Sequence, residues 1–293
     1  MYRTTNALLL AALLSSACQN QPNPGTNVND DGGGTGGGND FAGAPVLGPL
    51  QVTTIRDLNS DKYPTGTLVQ VTGVVQSPVA AGYAVLFNQG CLYELIVVQA
   101  DPAPTLKDGI AVRLIQRDVA TGDMMIRSSD CQQLAAGLEI GKAARGYQVD
   151  IQGTLVVQNG IHSIDLGSLG RVINQGKAQT LPQPVVVTPA MLPSGALSST
   201  PPGPAFVGAY GALVTLQNVV TSESHALTRT FRISTAPADV SKTRISTTYL
   251  RILDSNYTLP GDGASYRSVT GVVSTDQGGT VLPRGGDDLI NGP

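Results

Sequence analysis

Two histidines, His162 and His225, are the whole imidazole complement of this 293-residue chain. His225 closes the run Ser222-Glu223-Ser224-His225, which brings hydroxyl, carboxylate and imidazole side by side in sequence. Nucleophilic catalysis needs these groups to converge from separate elements, and neighbours on one β-turn cannot reach that geometry. His162 has apolar Ile161 and Ile164 near it in a strand-like run, so a surface or edge histidine is expected there. No Cys/His cluster has metal-ligand spacing, and no phosphate loop or nucleotide fingerprint is present. The expectation is no catalytic residue, no metal, no cofactor and no enzyme.

Binding is the better question. Arg229, Arg232, Arg244 and Arg251 lie close in sequence, with Phe231 and Tyr249 among them. On neighbouring strands, Arg229 and Arg251 would track phosphates while an aromatic ring stacks a base. Against this, Arg232, Arg244 and Arg251 alternate with Thr and Ser as solvated outward positions do. The chain has no Trp, aromatics are 4% of it, and its net charge is −3, so no overall field draws in a polyanion. A solvated sheet face is the first reading of these six residues, and a nucleic-acid site the second.

The front of the chain carries an address. Arg3 precedes the apolar run Ala7 to Leu14, too short to span a bilayer but suited to the middle of an export signal. Ser15-Ser16-Ala17 and then Cys18 follow, and the stretch resembles a bacterial lipoprotein signal. The resemblance implies cleavage before Cys18, acylation of that residue, and anchoring by several acyl chains. Gln19 after the Cys points to the outer membrane in such proteins. One departure is Ser15, where the family usually has Leu; Ser15 and Ala17 also satisfy an ordinary signal cleavage, which leaves secretion as the alternative. Residues 1–17 are thus read as a signal peptide and 18–48 as a lipid-anchored linker. Its Gly-, Asn- and Pro-rich composition has almost nothing to bury, so it is expected to be a disordered tether, with a root-mean-square reach of roughly 25 Å for 20 residues. If Cys18 is acylated, Cys91 and Cys131 are left to pair in an oxidising compartment or to remain as two buried thiols. A bridge closing a loop of about 40 residues would contribute roughly 4 kcal/mol in the chain-entropy model.

The elements that must position any site read as strands. Gly66 to Ser77 alternates apolar with polar residues, the period of a half-buried strand. It returns 145 positions later as Gly211 to Ser222, matching at Gly, Leu-Val, Val-Val and the final Ser. Strands are expected at Tyr83–Asn88, at Leu92–Val98 as an extension or extra strand, at Gly109–Ile115, and at Tyr147–Val157 with Ile161–Leu166 across an Asn159-Gly160 hairpin turn. Ser129 to Gln132 has capping-box spacing before a short helix over Gln132–Leu138. In the second half, strands are expected at Leu227–Ser234, Ser246–Leu253 and a closing pair that echoes the first at an offset of 118, without a helix over Asp254–Ser265. Thr188-Pro189 is expected to repeat the capped helical turn at Thr54.

Strand–strand–strand–helix–strand–strand is the order of the oligonucleotide/oligosaccharide-binding (OB) barrel. The runs Gly66-x-Leu68-Val69-x-Val71-x-Gly73-Val74-Val75 and Tyr147-x-Val149-x-Ile151-x-Gly153 resemble the tandem OB-like modules of bacterial exported proteins, which often sit beside a secreted nuclease domain. Only Gly285 to Pro293 follows the closing strand pair of the second module, so no nuclease domain is expected in this chain. The fold expected is all-β: two OB-like Greek-key barrels, residues 49–181 with a short helix and residues 182–293, after the tether. The role expected is non-catalytic binding or scaffolding at the cell envelope, with a membrane anchor and an envelope protein or polymer as partner. An accessory single-stranded nucleic-acid binder assisting a separate nuclease is the alternative.

Overall fold

The computed structural model describes residues 48–77, 83–86, 90–116, 144–166, 170–195 and 201–292. The signal peptide, Cys18, the tether, Cys131 and the helix expected over 132–138 lie outside the described residues.

The first half forms β1 (Gln51–Val52), α1 (Ile55–Leu58), β2 (Leu68–Val75), β3 (Tyr83–Leu86), β4 (Gly90–Val98), β5 (Gly109–Gln116), β6 (Tyr147–Gln158), β7 (Ile161–Asp165) and β8 (Arg171–Lys177). The second half forms β9 (Val185–Val187), α2 (Pro204–Gly208), β10 (Leu213–His225), β11 (Thr230–Ser234), β12 (Thr243–Ser246), α3 (Thr248–Leu253), β13 (Ser265–Ser274), β14 (Thr280–Leu282) and β15 (Leu289–Asn291). Two closed five-stranded barrels stand in tandem. In the first, β2, β4, β5, β7 and β6 close back onto β2. In the second, β10, β11, β12, β14 and β13 close back onto β10. Each has one parallel pair, β5–β7 and β12–β14, which is OB-like connectivity. Each also takes a short parallel leader on its first strand, β1 or β9, and a late strand on its fourth, β8 or β15.

The repeat seen in sequence is kept in register. Leu68 pairs with Thr154 and Val71 with Ile151; the corresponding pairs are Leu213 with Val272 and Leu216 with Val269. Gly66 and Gly211 open the two long strands at φ +92° and +81°, where side chains with a Cβ are strained. Both also donate their N–H to the matching carbonyl, Leu155 at 2.8 Å and Val273 at 2.9 Å. Inward alternation then fills each barrel. Ile55, Val69, Val71, Leu95, Val97, Ile110, Val112, Ile151 and Ile164 pack in the first, and Val214, Leu216, Phe231, Ile233, Ile245, Val269 and Val281 in the second.

Thr54 caps α1 as its position implies, accepting the Asp57 N–H at 3.1 Å. Asn159 and Gly160 both take positive φ, as a two-residue hairpin turn requires. Elsewhere the expected elements shift. The third strand of the second barrel ends at Ser246, and the Ser246–Leu253 segment is mostly helix α3, so this barrel does carry a helix between its third and fourth strands. Tyr249 and Leu250 are adjacent and both buried, which a helix packed at a barrel end allows and an alternating strand does not. The second strand begins at Thr230 and not Leu227, because Arg229 turns the chain at φ +54°. Ser222 to His225 extends β10 and is not a free turn. Leu155 pairs with Ile164 but Val273 with Val281, so the closing hairpin is one residue shorter and its last strand matches at an offset of 117. Around Thr188-Pro189 a single turn forms, Met191 N–H to the Thr188 carbonyl at 3.0 Å, with no helix.

The barrels dock through a third apolar cluster. Ile96, Val98 and Ala111, on the outer face of β4 and β5, pack with Tyr210, Leu213, Tyr249, Val272 and Leu282. At the edge of this seam, Arg113 Nε donates to Glu94 Oε2 at 2.8 Å and Arg113 Nη2 donates to the Tyr210 hydroxyl at 2.7 Å. The Tyr210 hydroxyl donates to the same Glu94 oxygen at 3.0 Å. Arg145 and Asp287 pair across the modules at 2.9 Å, and Arg284 bonds Gln76.

Candidate functional site

Strands two and three and the adjoining loops form the usual ligand face of OB barrels. In the first barrel that face is β4–β5, and Ile96, Val98, Ala111 and Arg113 there meet the second barrel. The corresponding face of the second barrel is β11–β12, which holds three of the six residues singled out in sequence.

Those six do not form one exposed row. Phe231 points into the barrel, is 0% exposed and stacks on Tyr266 with ring centroids 6.3 Å apart. It is a core residue and offers no platform to a base. Tyr249 is buried in the inter-barrel seam. Arg251, on α3, bonds the Ser255 carbonyl at 3.4 Å. Arg229 lies at the β10–β11 turn, where its carbonyl takes both the Thr247 N–H and the Thr247 hydroxyl, at 3.1 and 2.8 Å. Burial, then the neighbouring Arg251 charge, lower the Arg229 pKa from its ordinary value.

Arg232 and Arg244 are brought together. They are cross-strand partners on β11 and β12, pointing outward, opposite the Phe231–Ile245 core pair. Outward does not mean solvated: Arg244 is 0% exposed. The chain at Leu192–Gly195 straps this face, tied by Ser194 N–H to the Lys242 carbonyl at 2.9 Å and by the Thr243 hydroxyl to the Leu192 carbonyl at 2.8 Å. The Gly195 carbonyl accepts from Nη2 of both arginines, each at 2.8 Å. Arg244 Nη1 donates to the Gln277 carbonyl, and its backbone N–H donates to Ser194 Oγ at 2.7 Å. Sequence spacing places these arginines on neighbouring strands, but a strap about 50 residues upstream that covers them is a tertiary fact.

Glu223 closes the cluster, 3.3 Å from Arg232 Nη1 and hydrogen-bonded to Lys242. The Lys242 hydrogen bond, then the Arg232 charge, lower its pKa below the ordinary carboxylate value, with His225 adding to the shift. A lowered folded-state pKa gives stability that is present above the unfolded value and is lost as pH falls through the folded one. Glu223→Gln is therefore expected to lower the urea midpoint at about pH 7, with a smaller deficit at about pH 3, below the ordinary Glu value of about 4.3. Equal deficits at both pH values would disprove the ionic role.

The two histidines stay apart. His162, expected at the surface or on an edge, is 8% exposed on β7, which lies between β5 and β6, and sits 3.0 Å from Asp61 of the loop before β2. Cys91 lies in β4; its side chain and Cys131 are outside what is described.

A further concavity was not legible in the sequence. A shallow groove of about 410 Å³ runs over the first barrel between β1, β2, the start of β6 and the loop after β4. Gln70, Thr72, Gln99 and Gln148 line it with uncharged hydrogen-bonding groups, and Val52 and Val74 supply its apolar part. Among the described residues no group of three or more His, Cys, Asp or Glu could hold a metal, and no helix is long and apolar enough to cross a membrane. No protein-family model matches the chain, and neither does any curated protein sequence.

Proposed function

We propose that this protein is a non-catalytic binding or scaffolding module of the cell envelope, anchored to the outer membrane through acylated Cys18 and presenting two docked barrels to a protein or polymer partner. The export signal ending in Cys18 and the Gly-rich tether support the address. The groove on the first barrel carries the binding reading: neutral Gln and Thr groups beside exposed Val52 suit contact with an uncharged polymer or a peptide. The β4–β5 face of that barrel is taken by the second barrel, and the groove is a concave surface that its described residues still offer.

A photo-crosslinking side chain at Thr72 in the full-length chain, in intact cells, tests this reading. A discrete adduct is expected from Thr72 and not from Leu227, which is 88% exposed on the second barrel. No adduct, or the same adducts from both positions, would defeat it. Cys18→Ser is expected to release the protein from the membrane fraction; unchanged fractionation would refute the lipid anchor.

One observation favours the alternative, an accessory binder of single-stranded nucleic acid that assists a separate nuclease. Arg229 and Arg251 are close enough for their charges to interact. The main reading expects no retention on single-stranded DNA at about 150 mM salt. Salt-sensitive retention that disappears in Arg229→Ala/Arg251→Ala would move the assignment to the alternative.

A further inference from the structure

One lateral row crosses four strands of the second barrel. Ser222 on β10 pairs with Arg232 on β11, which pairs with Arg244 on β12. The parallel pairing of Ile245 with Val281 sets Thr280 of β14 beside Arg244. Cross-strand neighbours on one face lie within about 5.5 Å at the backbone, so these side chains share one surface.

Every member of this row has a buried polar atom without a hydrogen-bond partner: Ser222 Oγ, Arg232 Nε, Arg244 Nε and Thr280 Oγ1. Buried polar groups are nearly always satisfied by protein or by something bound, and one left unsatisfied carries its full desolvation penalty. A cluster of such failures on one row calls for a shared occupant.

Charge says what kind. Arg232, Arg244 and Lys242 gather around a single carboxylate, Glu223. Arg244 is fully buried, and among its described contacts its guanidinium reaches carbonyl oxygens but no carboxylate. Like charges directly opposite on a sheet repel, and three cations sharing one carboxylate leave a buried guanidinium short of counter-charge, which is costly. Burial, then the Arg232 charge, lower the Arg244 pKa, and the single Glu223 charge opposes the shift without reversing it.

We infer that the row Ser222–Arg232–Arg244–Thr280 is a binding site for a small oxyanion, such as a phosphate or carboxylate group, beneath the Ser194–Gly195 strap. Guanidinium N–H groups and hydroxyls are the donors such a group takes. The Nη2 atoms are already spent on the Gly195 carbonyl, and the free Nε edges are enclosed. Enclosed donors of this kind are out of reach of a polynucleotide backbone, which leaves a discrete ion as the occupant. Arg232, with 18% of its side chain exposed beside Glu223, marks the open side. The site goes beyond the proposed envelope role and holds whichever partner the groove takes.

Titration calorimetry on the full-length chain tests the inference, with inorganic phosphate and with acetate at constant ionic strength. Saturable binding near one ion per chain is expected, and the tighter probe tells phosphate from carboxylate chemistry. Arg232→Gln, at a half-buried position, should weaken it by at least about tenfold. Ser222→Ala/Thr280→Val should weaken it while the circular dichroism spectrum is kept. Absence of saturable heat with both ions would overturn the site, as would binding unchanged in both variants. Equally tight binding of an oligothymidine would overturn the enclosed geometry.

Discussion

Phe231→Ala is expected to destabilise the second barrel by about 3–5 kcal/mol, the range for deleting a fully buried aromatic side chain. Phe231 is 0% exposed, lies in the inward row with Ile233 and Ile245, and stacks against Tyr266 at an interplanar angle of 24°. Truncation removes the ring from all of these at once, and the closed sheet around it restricts collapse into the void. Urea unfolding followed by tyrosine fluorescence reads the effect, since the chain has no Trp. The same substitution separates two roles that the sequence leaves open. A residue that stacks a ligand would lose binding with stability kept; Phe231 is expected to lose stability first. A loss below about 1 kcal/mol would mean that the ring is not the packed core element described here.

That contrast shows what can be read from residue order. Period-two alternation located the barrel strands, because a strand with one face in the core must alternate. Gly66 and Gly211 recur at the same point of the repeat, and the structure gives the reason: both open their strands at positive φ. Alternation also identified Arg232 and Arg244 as outward. It could not say that the outward side is covered, because the cover comes from Leu192–Gly195 through hydrogen bonds that follow no local pattern. Helix α3 was missed because Tyr249 and Leu250 lie beside other apolar residues in a run too short to show its period. The inter-barrel seam did leave a trace. Leu95-Ile96-Val97-Val98 is apolar without interruption, and so is Ile110-Ala111-Val112. A strand buried on one face alternates; one buried on both does not. Those two runs are a signal, passed over in a reading by alternation alone, that β4 and β5 are covered on the outside as well as the inside.

The closest point of that seam yields the other large effect. Gly109→Ala is expected to force the two barrels apart while leaving each folded. A Cβ at Gly109 would stand 2.0 Å from the Gly211 carbonyl oxygen and 2.5 Å from the Ala212 nitrogen. These are backbone atoms, so no side-chain rotation relieves the overlap. Gly211 cannot retreat easily, because it holds φ +81° at the start of β10 and its N–H is fixed to the Val273 carbonyl. Overpacking of this kind costs about 1–3 kcal/mol, and here separation of the docked faces relieves it. The Arg113–Glu94–Tyr210 contacts and the Ile96–Leu213 cluster would then be exposed together. Small-angle scattering should show a larger radius of gyration, and hydrogen exchange should rise in β5 and at the Leu213 end of β10. Gly66→Ala is the control, since it strains the equivalent turn at φ +92° but meets nothing within 4 Å. It should lower stability without changing the scattering curve. If both variants scatter like wild type, the barrels are not held by this approach of backbones, and the covered face of β4 and β5 must be secured elsewhere.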